Sequence, residues 1–131
     1  MLQLASLVVG ALLAGQAGNA PASAVQRYGE AISACTAMAD VDGRRCLADL
    51  LEPSHSDLER SYGAAMAIAT AQGRAPELRQ AQNEWANFTS AQCRFEQAQF
   101  RGGTAYLSVD HICQIRRNAA RADELGRVAN Q

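Results

Sequence analysis

The 131-residue chain predicts an all-α protein, a small bundle of about four helices stapled by two disulfides. Three observations carry this prediction. Apolar residues recur at alternating spacings of three and four over most of the chain, while no stretch sustains a period-two alternation. Only 5% of the residues are aromatic, so the core is built mainly from Ala, Leu, Val and Ile and is thin. Four cysteines supply the staples that so small a core needs.

The elements follow in order. Val25, Tyr28, Ile32, Cys35 and Ala39 mark an amphipathic helix from about Ala24 to Ala39, which Asp42-Gly43 breaks with turn chemistry. Cys46 opens a short helical piece, CLADLLE, stopped by Pro53. Ser56 to Glu59, SDLE, has the capping-box pattern and starts a helix carrying Leu58, Tyr62, Ala65, Met66 and Ile68 that fades near Gly73. Pro76 suits a first helical turn, and from it Leu78, Ala81, Trp85, Phe88, Gln92 and Phe95 step by three and four up to Gly102-Gly103. A last helix runs from about Ser108 to Val128, with Val109, Ile112, Cys113 and Leu125 inward. Leu58, Tyr62, Leu78, Trp85, Phe88 and Leu125 are the predicted core, and the helix of Trp85 is the one on which the others pack.

The N-terminus has its own character. Leu4 to Gly15, LASLVVGALLAG, has the length of a signal-peptide apolar region and is too short to span a bilayer comfortably. Ala22-Ser23-Ala24 then supplies a cleavage site, so residues 1–24 read as a signal peptide and 25–131 as the mature helical domain. No Lys or Arg precedes the apolar run, and a retained membrane anchor is the competing reading. Export agrees with the cysteines, which read as two disulfides with three possible connectivities. The preferred pairing joins neighbours, Cys35–Cys46 and Cys93–Cys113, and closes two short loops worth about 3 kcal/mol each.

Several functions are excluded. Zinc needs closely spaced thiolates or paired histidines, and His55 and His111 have no ligand-spaced companion. No P-loop, dinucleotide-binding glycine pattern or HExxH occurs, and bonded cysteines offer no thiolate nucleophile. The chain therefore reads as no enzyme, with neither metal nor cofactor. Net charge is −1, unevenly spread, with seven arginines against ten acids over 25–100 and five against three over 101–131. The basic tail, with Arg116, Arg117 and Arg121, is a solvated helix face beside Asp123 and Glu124, and no nucleic acid is implied. Asn87-Phe88-Thr89 matches a glycosylation acceptor but falls mid-helix and is discounted.

LRQAQNEWANFTSAQCRFE, RGGTAY and CQIRRNAARADEL together resemble the exported LprI-type lysozyme inhibitors. The matching residues are Leu78, Ala81, Gln82, Trp85, Cys93, Gly102, Gly103, Cys113, Arg121 and Leu125, with Leu58, Tyr62 and the Cys35/Cys46 pair upstream. The resemblance covers about 35–125. Glu59 and Asn118 depart from it, standing where the family usually has Asn and often Thr. Gln16 follows Leu13-Ala14-Gly15 where some relatives carry a lipidated cysteine, which implies a periplasmic or secreted protein, free of the membrane after cleavage and not a lipoprotein. What the resemblance implies is a protein that occludes a lysozyme cleft without catalysis. The rigid loop Arg101, Gly102, Gly103, Thr104 to Tyr106, inside the Cys93–Cys113 segment, is the candidate contact. The rival expectation is a non-inhibitory envelope module binding another protein or a cell-wall component.

Overall fold

The computed structural model describes residues 20–131, and the apolar segment read as a signal peptide lies, up to residue 19, outside them. Five helices follow one another: α1 (Ala24–Thr36), α2 (Asp40–Asp49), α3 (Leu51–Ala71), α4 (Ala75–Ala98) and α5 (Tyr106–Ala129). Leu50 alone separates α2 from α3, and three residues separate α1 from α2 at a corner. Disulfides join Cys35 to Cys46, with Cα atoms 5.4 Å apart, and Cys93 to Cys113, at 5.6 Å.

The bundle is organised around α5, which packs on each of the other four helices and most extensively on α3. The expectation that the Trp85 helix is the spine is corrected here. Cys113, Ile115, Ala119, Ala122 and Leu125 of α5 are buried, and the small Ala119 and Ala122 let it approach α3, where Leu58, Ala65 and Ala69 are buried. On α4 the buried residues are Thr89, Cys93 and Gln97, two of them polar and the third bonded to Cys113, so this seam buries less apolar surface than that of α3. Tyr28, Ile32, Cys35 and Leu47 close the core from α1 and α2.

Several boundaries differ from those read in the sequence. The chain turns after Thr36, and Asp42 and Gly43 lie inside α2, where Asp40 and Asp42 in the first turn favour the positive helix end. Gly43 is there for contact: a Cβ would stand 2.8 Å from the Cys35 carbonyl oxygen. Pro53 does not stop a helix. It is the third residue of α3, in a turn whose N–H groups have no intrahelical acceptor anyway. Ser56 is a mid-helix residue, and Glu59 turns to His55 at 3.8 Å and caps nothing.

Polar links fix how the helices meet. The Ser54 hydroxyl, fully buried, donates to the Leu51 carbonyl at 2.8 Å and accepts from the Asn118 amide at 3.1 Å, tying α3 to α5. The Asp123 carboxylate accepts the backbone N–H of Ala24 (2.8 Å) and Val25 (2.9 Å), while the Ser23 hydroxyl accepts that of Gln26 (3.1 Å). A carboxylate from α5 thus completes the N-terminal cap of α1.

Candidate functional site

The segment between α4 and α5, residues 99–105, is exposed throughout and holds most of the predicted contact set. Gly102 adopts φ +77°, a left-handed conformation that a side chain strains against, so glycine is required for the reversal. Phe100 and Gly103 then anchor short turns: the Gly103 N–H donates to the Phe100 carbonyl (3.0 Å) and the Tyr106 N–H to that of Gly103 (3.3 Å). Arg101, Gly102, Gly103 and Thr104 are exposed, and Tyr106 is half-buried as the first residue of α5. The Cys93–Cys113 bridge spans this turn and limits how far its two ends separate.

The turn does not stand alone at its end of the bundle. Thr104, Ala105 and Ser108 line a groove of about 280 Å³ whose other wall is the α1–α2 corner, with Met38, Asp40 and Arg44. Large apolar side chains lie open to solvent along these segments: Met38 and Val41 at the corner, Phe95, Phe100 and Leu107 flanking the turn. Arg101 belongs to the same turn, and Arg44 is paired with Asp40 at 2.6 Å. The end therefore combines an ordered backbone, an apolar rim and guanidinium groups, the materials of a protein-binding surface.

Of the predicted core, Leu58 and Leu125 are buried, and Tyr62, Leu78 and Trp85 pack against the core while staying partly open. Phe88 is corrected: it is 57% exposed, with the Arg117 guanidinium 5.4 Å from its ring centre. The reason is helical phase. The inward residues of α4 run Leu78, Gln82, Trp85, Thr89, Cys93, Gln97, an average step just under four. A stripe alternating three and four falls behind that face and has left it by Phe88. Phe95, on the same drifted stripe, is 75% exposed.

Arg121 is corrected as well. It leaves the solvated face and is buried, donating from Nε to the Gln82 amide oxygen (2.9 Å) and from Nη1 to Glu124 (2.9 Å), 6.0 Å above the Trp85 ring. Gln82, Trp85 and Arg121 thus form a clasp holding α4 on α5.

Two polar groups carry weight that the sequence reading did not assign. Tyr28 donates to Asp57 (2.8 Å), and Arg60 (2.8 Å) and Arg27 (3.5 Å) reach the same carboxylate. Burial, the hydrogen bond to Asp57 and its charge push the Tyr28 hydroxyl up to about 12. Burial works to raise Asp57, but the bonds from Tyr28 and Arg60 and the charges of Arg27 and Arg60 outweigh it and hold the carboxyl below its usual range. The other is Asp123, the tertiary cap of α1. The i,i+3 spacing of Asp57 and Arg60 is a readable signal, whereas nothing local marks Asp123 as a partner for residues a hundred positions away.

No group of three or more His, Cys, Asp or Glu that could hold a metal occurs among the described residues. Among the same residues no helix is long and apolar enough to cross a membrane.

Neither curated proteins nor solved structures give a match. The family model described as lysozyme inhibitor LprI matches residues 32–125, which takes in both disulfides, the Gln82–Trp85–Arg121 clasp and the exposed turn. On that match over most of its length, the chain belongs to the LprI lysozyme inhibitor family.

Proposed function

We propose that this protein is an exported inhibitor that binds lysozyme through the α4–α5 turn and blocks its cleft without doing chemistry. The observation that carries the reading is the turn itself. It is ordered by Gly102, tied at its base by Cys93–Cys113, and accompanied by exposed apolar side chains at the same end of the bundle. A preordered turn loses little entropy on binding. A lysozyme cleft places two carboxylates at its floor, and Arg101 offers a guanidinium to that charge. Phe100 and Tyr106 flank the arginine as apolar anchors, and the Met38–Val41 corner extends the contact over the cleft rim. The acidic excess over residues 25–100 helps steer the molecule to a basic enzyme at low salt.

Export is part of the same proposal. The apolar Leu4–Gly15 run is the targeting signal, the two disulfides form in an oxidising compartment, and the mature protein is periplasmic or secreted, without a lipid.

Alanine replacements at Arg101, Phe100 and Tyr106 test the surface. Each is expected to weaken inhibition of lysozyme about tenfold or more while far-UV circular dichroism and Tm stay near those of the parent protein. Full potency in all three variants would remove the turn from the contact.

A further inference from the structure

We infer that the outer face of α4 is a self-association surface, on which a second copy of this chain docks antiparallel. The proposal stands independently of lysozyme inhibition.

The chain has three phenylalanines, and none of them is in the core: Phe88 is 57% exposed, Phe95 75% and Phe100 38%. Single apolar residues on a surface are ordinary, but a fold with so thin a core has little cause to leave every phenylalanine outside it. Two of the three are also in register. Ala81, Glu84, Phe88, Ala91 and Phe95 step by three, four, three and four along α4, and all five are exposed. This stripe drifts off the inward face of α4, and a strict 3.5-residue repeat is the seam that two supercoiling helices bury between them. Phe88 and Phe95 stand about 10 Å apart on it. The bundle leaves this face free, since α4 packs on α5 with its other side, which carries Thr89, Cys93 and Gln97. Arg117 of α5 lies over the Phe88 ring and still leaves more than half of that residue open.

Charge and shape identify the occupant as a second copy. Set antiparallel about a two-fold axis at the level of Ser90, the seam places Phe88 over the second copy's Ala91 and Phe95 over its Glu84. Arg94 then falls beside that same Glu84. Large meets small and base meets acid, and the two-fold repeats each contact. A parallel pairing would instead set Phe88 against Phe88 and Glu84 against Glu84. Both charged groups have the capacity for this contact, because neither makes an ion pair among the described residues. Arg94 donates one N–H to the Ser90 hydroxyl (2.7 Å), and one Glu84 oxygen accepts from the Gln80 amide (3.2 Å). Most of the guanidinium and the second carboxylate oxygen stay open. One helix face with two phenylalanines per chain is at the small end of specific interfaces, so the dimer is a dissociating one.

Sedimentation velocity of the full mature, disulfide-bonded chain over about 1–500 μM tests this, with a monomer–dimer dissociation constant of about 10–100 μM expected. Phe88→Ser and Phe95→Ser are each expected to weaken the dimer about tenfold or more while Tm stays near that of the parent, since both side chains are mostly open in the monomer. Glu84→Arg and Arg94→Glu are each expected to weaken it about tenfold, because symmetry enters every substitution twice. The double variant is expected to return to within about threefold of the parent, a rescue that reads the antiparallel register itself. A chain that stays monomeric up to about 500 μM overturns the proposal. So does a dimer that both serine variants leave intact, or a charge exchange that rescues nothing. Binding of the monomer to vesicles of phosphatidylcholine and phosphatidylglycerol, abolished by Phe95→Ser, would give the face to a lipid surface and overturn it as well. Inhibition of lysozyme, assayed at about 1 μM where the chain is monomeric, is expected to be the same in Phe88→Ser as in the parent. Failure of self-association and failure of the inhibitor reading are therefore separable.

Discussion

Asp57 illustrates what a single residue does in this fold. It receives hydrogen bonds from Tyr28 and Arg60 and the nearby charge of Arg27, and joins α1 to α3 through its carboxylate. Its pKa is lowered on folding, so its contribution to stability is present above its unfolded value of 3.8 and is lost as pH falls through the lower, folded one. Asp57→Asn is therefore expected to flatten the acid limb of a Tm-against-pH curve below about pH 4. Tyr28 has the opposite sign. Raised from 10.0 to about 12, it stabilises the fold below 10 and loses that contribution as pH climbs through its folded value. A spectrophotometric titration should show one tyrosine ionising at about 12, a step absent from Tyr28→Phe. Gly43 makes a steric prediction: a Cβ 2.8 Å from the Cys35 oxygen forces backbone apart, so Gly43→Ala should cost about 1–3 kcal/mol by chemical denaturation. In sequence Asp42-Gly43 reads as a turn, because close backbone approach and turn geometry call for the same residue.

Helices were legible as elements, and their ends were not. Periodicity locates all the long helices, because each buries one face. Asp-Gly, Pro and Ser-x-x-Glu, however, are ambiguous punctuation. Acids favour the first turn of α2, a proline is harmless in the first turn of α3, and Glu59 prefers His55 to a cap. The Phe88 stripe shows the same limit: steps of three and four look alike over two turns and diverge over five. The α4–α5 clasp tests the element scale. Arg121→Lys keeps the charge but loses the planar fork that meets Gln82 and Glu124, and is expected to destabilise by about 1–3 kcal/mol in urea unfolding. The N-terminus of α1 offers a second test. Ser23 caps it and Ala24 is 4% exposed, and cleavage after Ala24 would remove both while bringing the Val25 ammonium to the Asp123 carboxylate, 2.9 Å from its backbone nitrogen. Asp123→Ala is accordingly expected to lower stability by about 1–2 kcal/mol.

For the whole molecule, a five-helix bundle with an alanine-rich core leans on its cross-links. Cys35–Cys46 holds the corner that walls the α4–α5 turn, and Cys93–Cys113 holds the turn itself, so the same bonds that stabilise the fold shape the proposed contact surface. The order of the cysteines allowed three pairings, of which the preferred neighbour pairing is the one formed, and the turn was readable from its glycines. The Met38–Val41 corner beside it was not, because only the folded chain brings residues so far apart in sequence to one groove. Reduction of the purified protein should weaken binding before it unfolds the bundle completely. The direct measurement is turnover of a small soluble substrate by lysozyme titrated with the mature protein, at fixed ionic strength. Stoichiometric loss of activity, relieved about tenfold or more by Arg101→Ala, is the predicted result; undiminished turnover in micromolar excess of a folded, disulfide-bonded protein would contradict it.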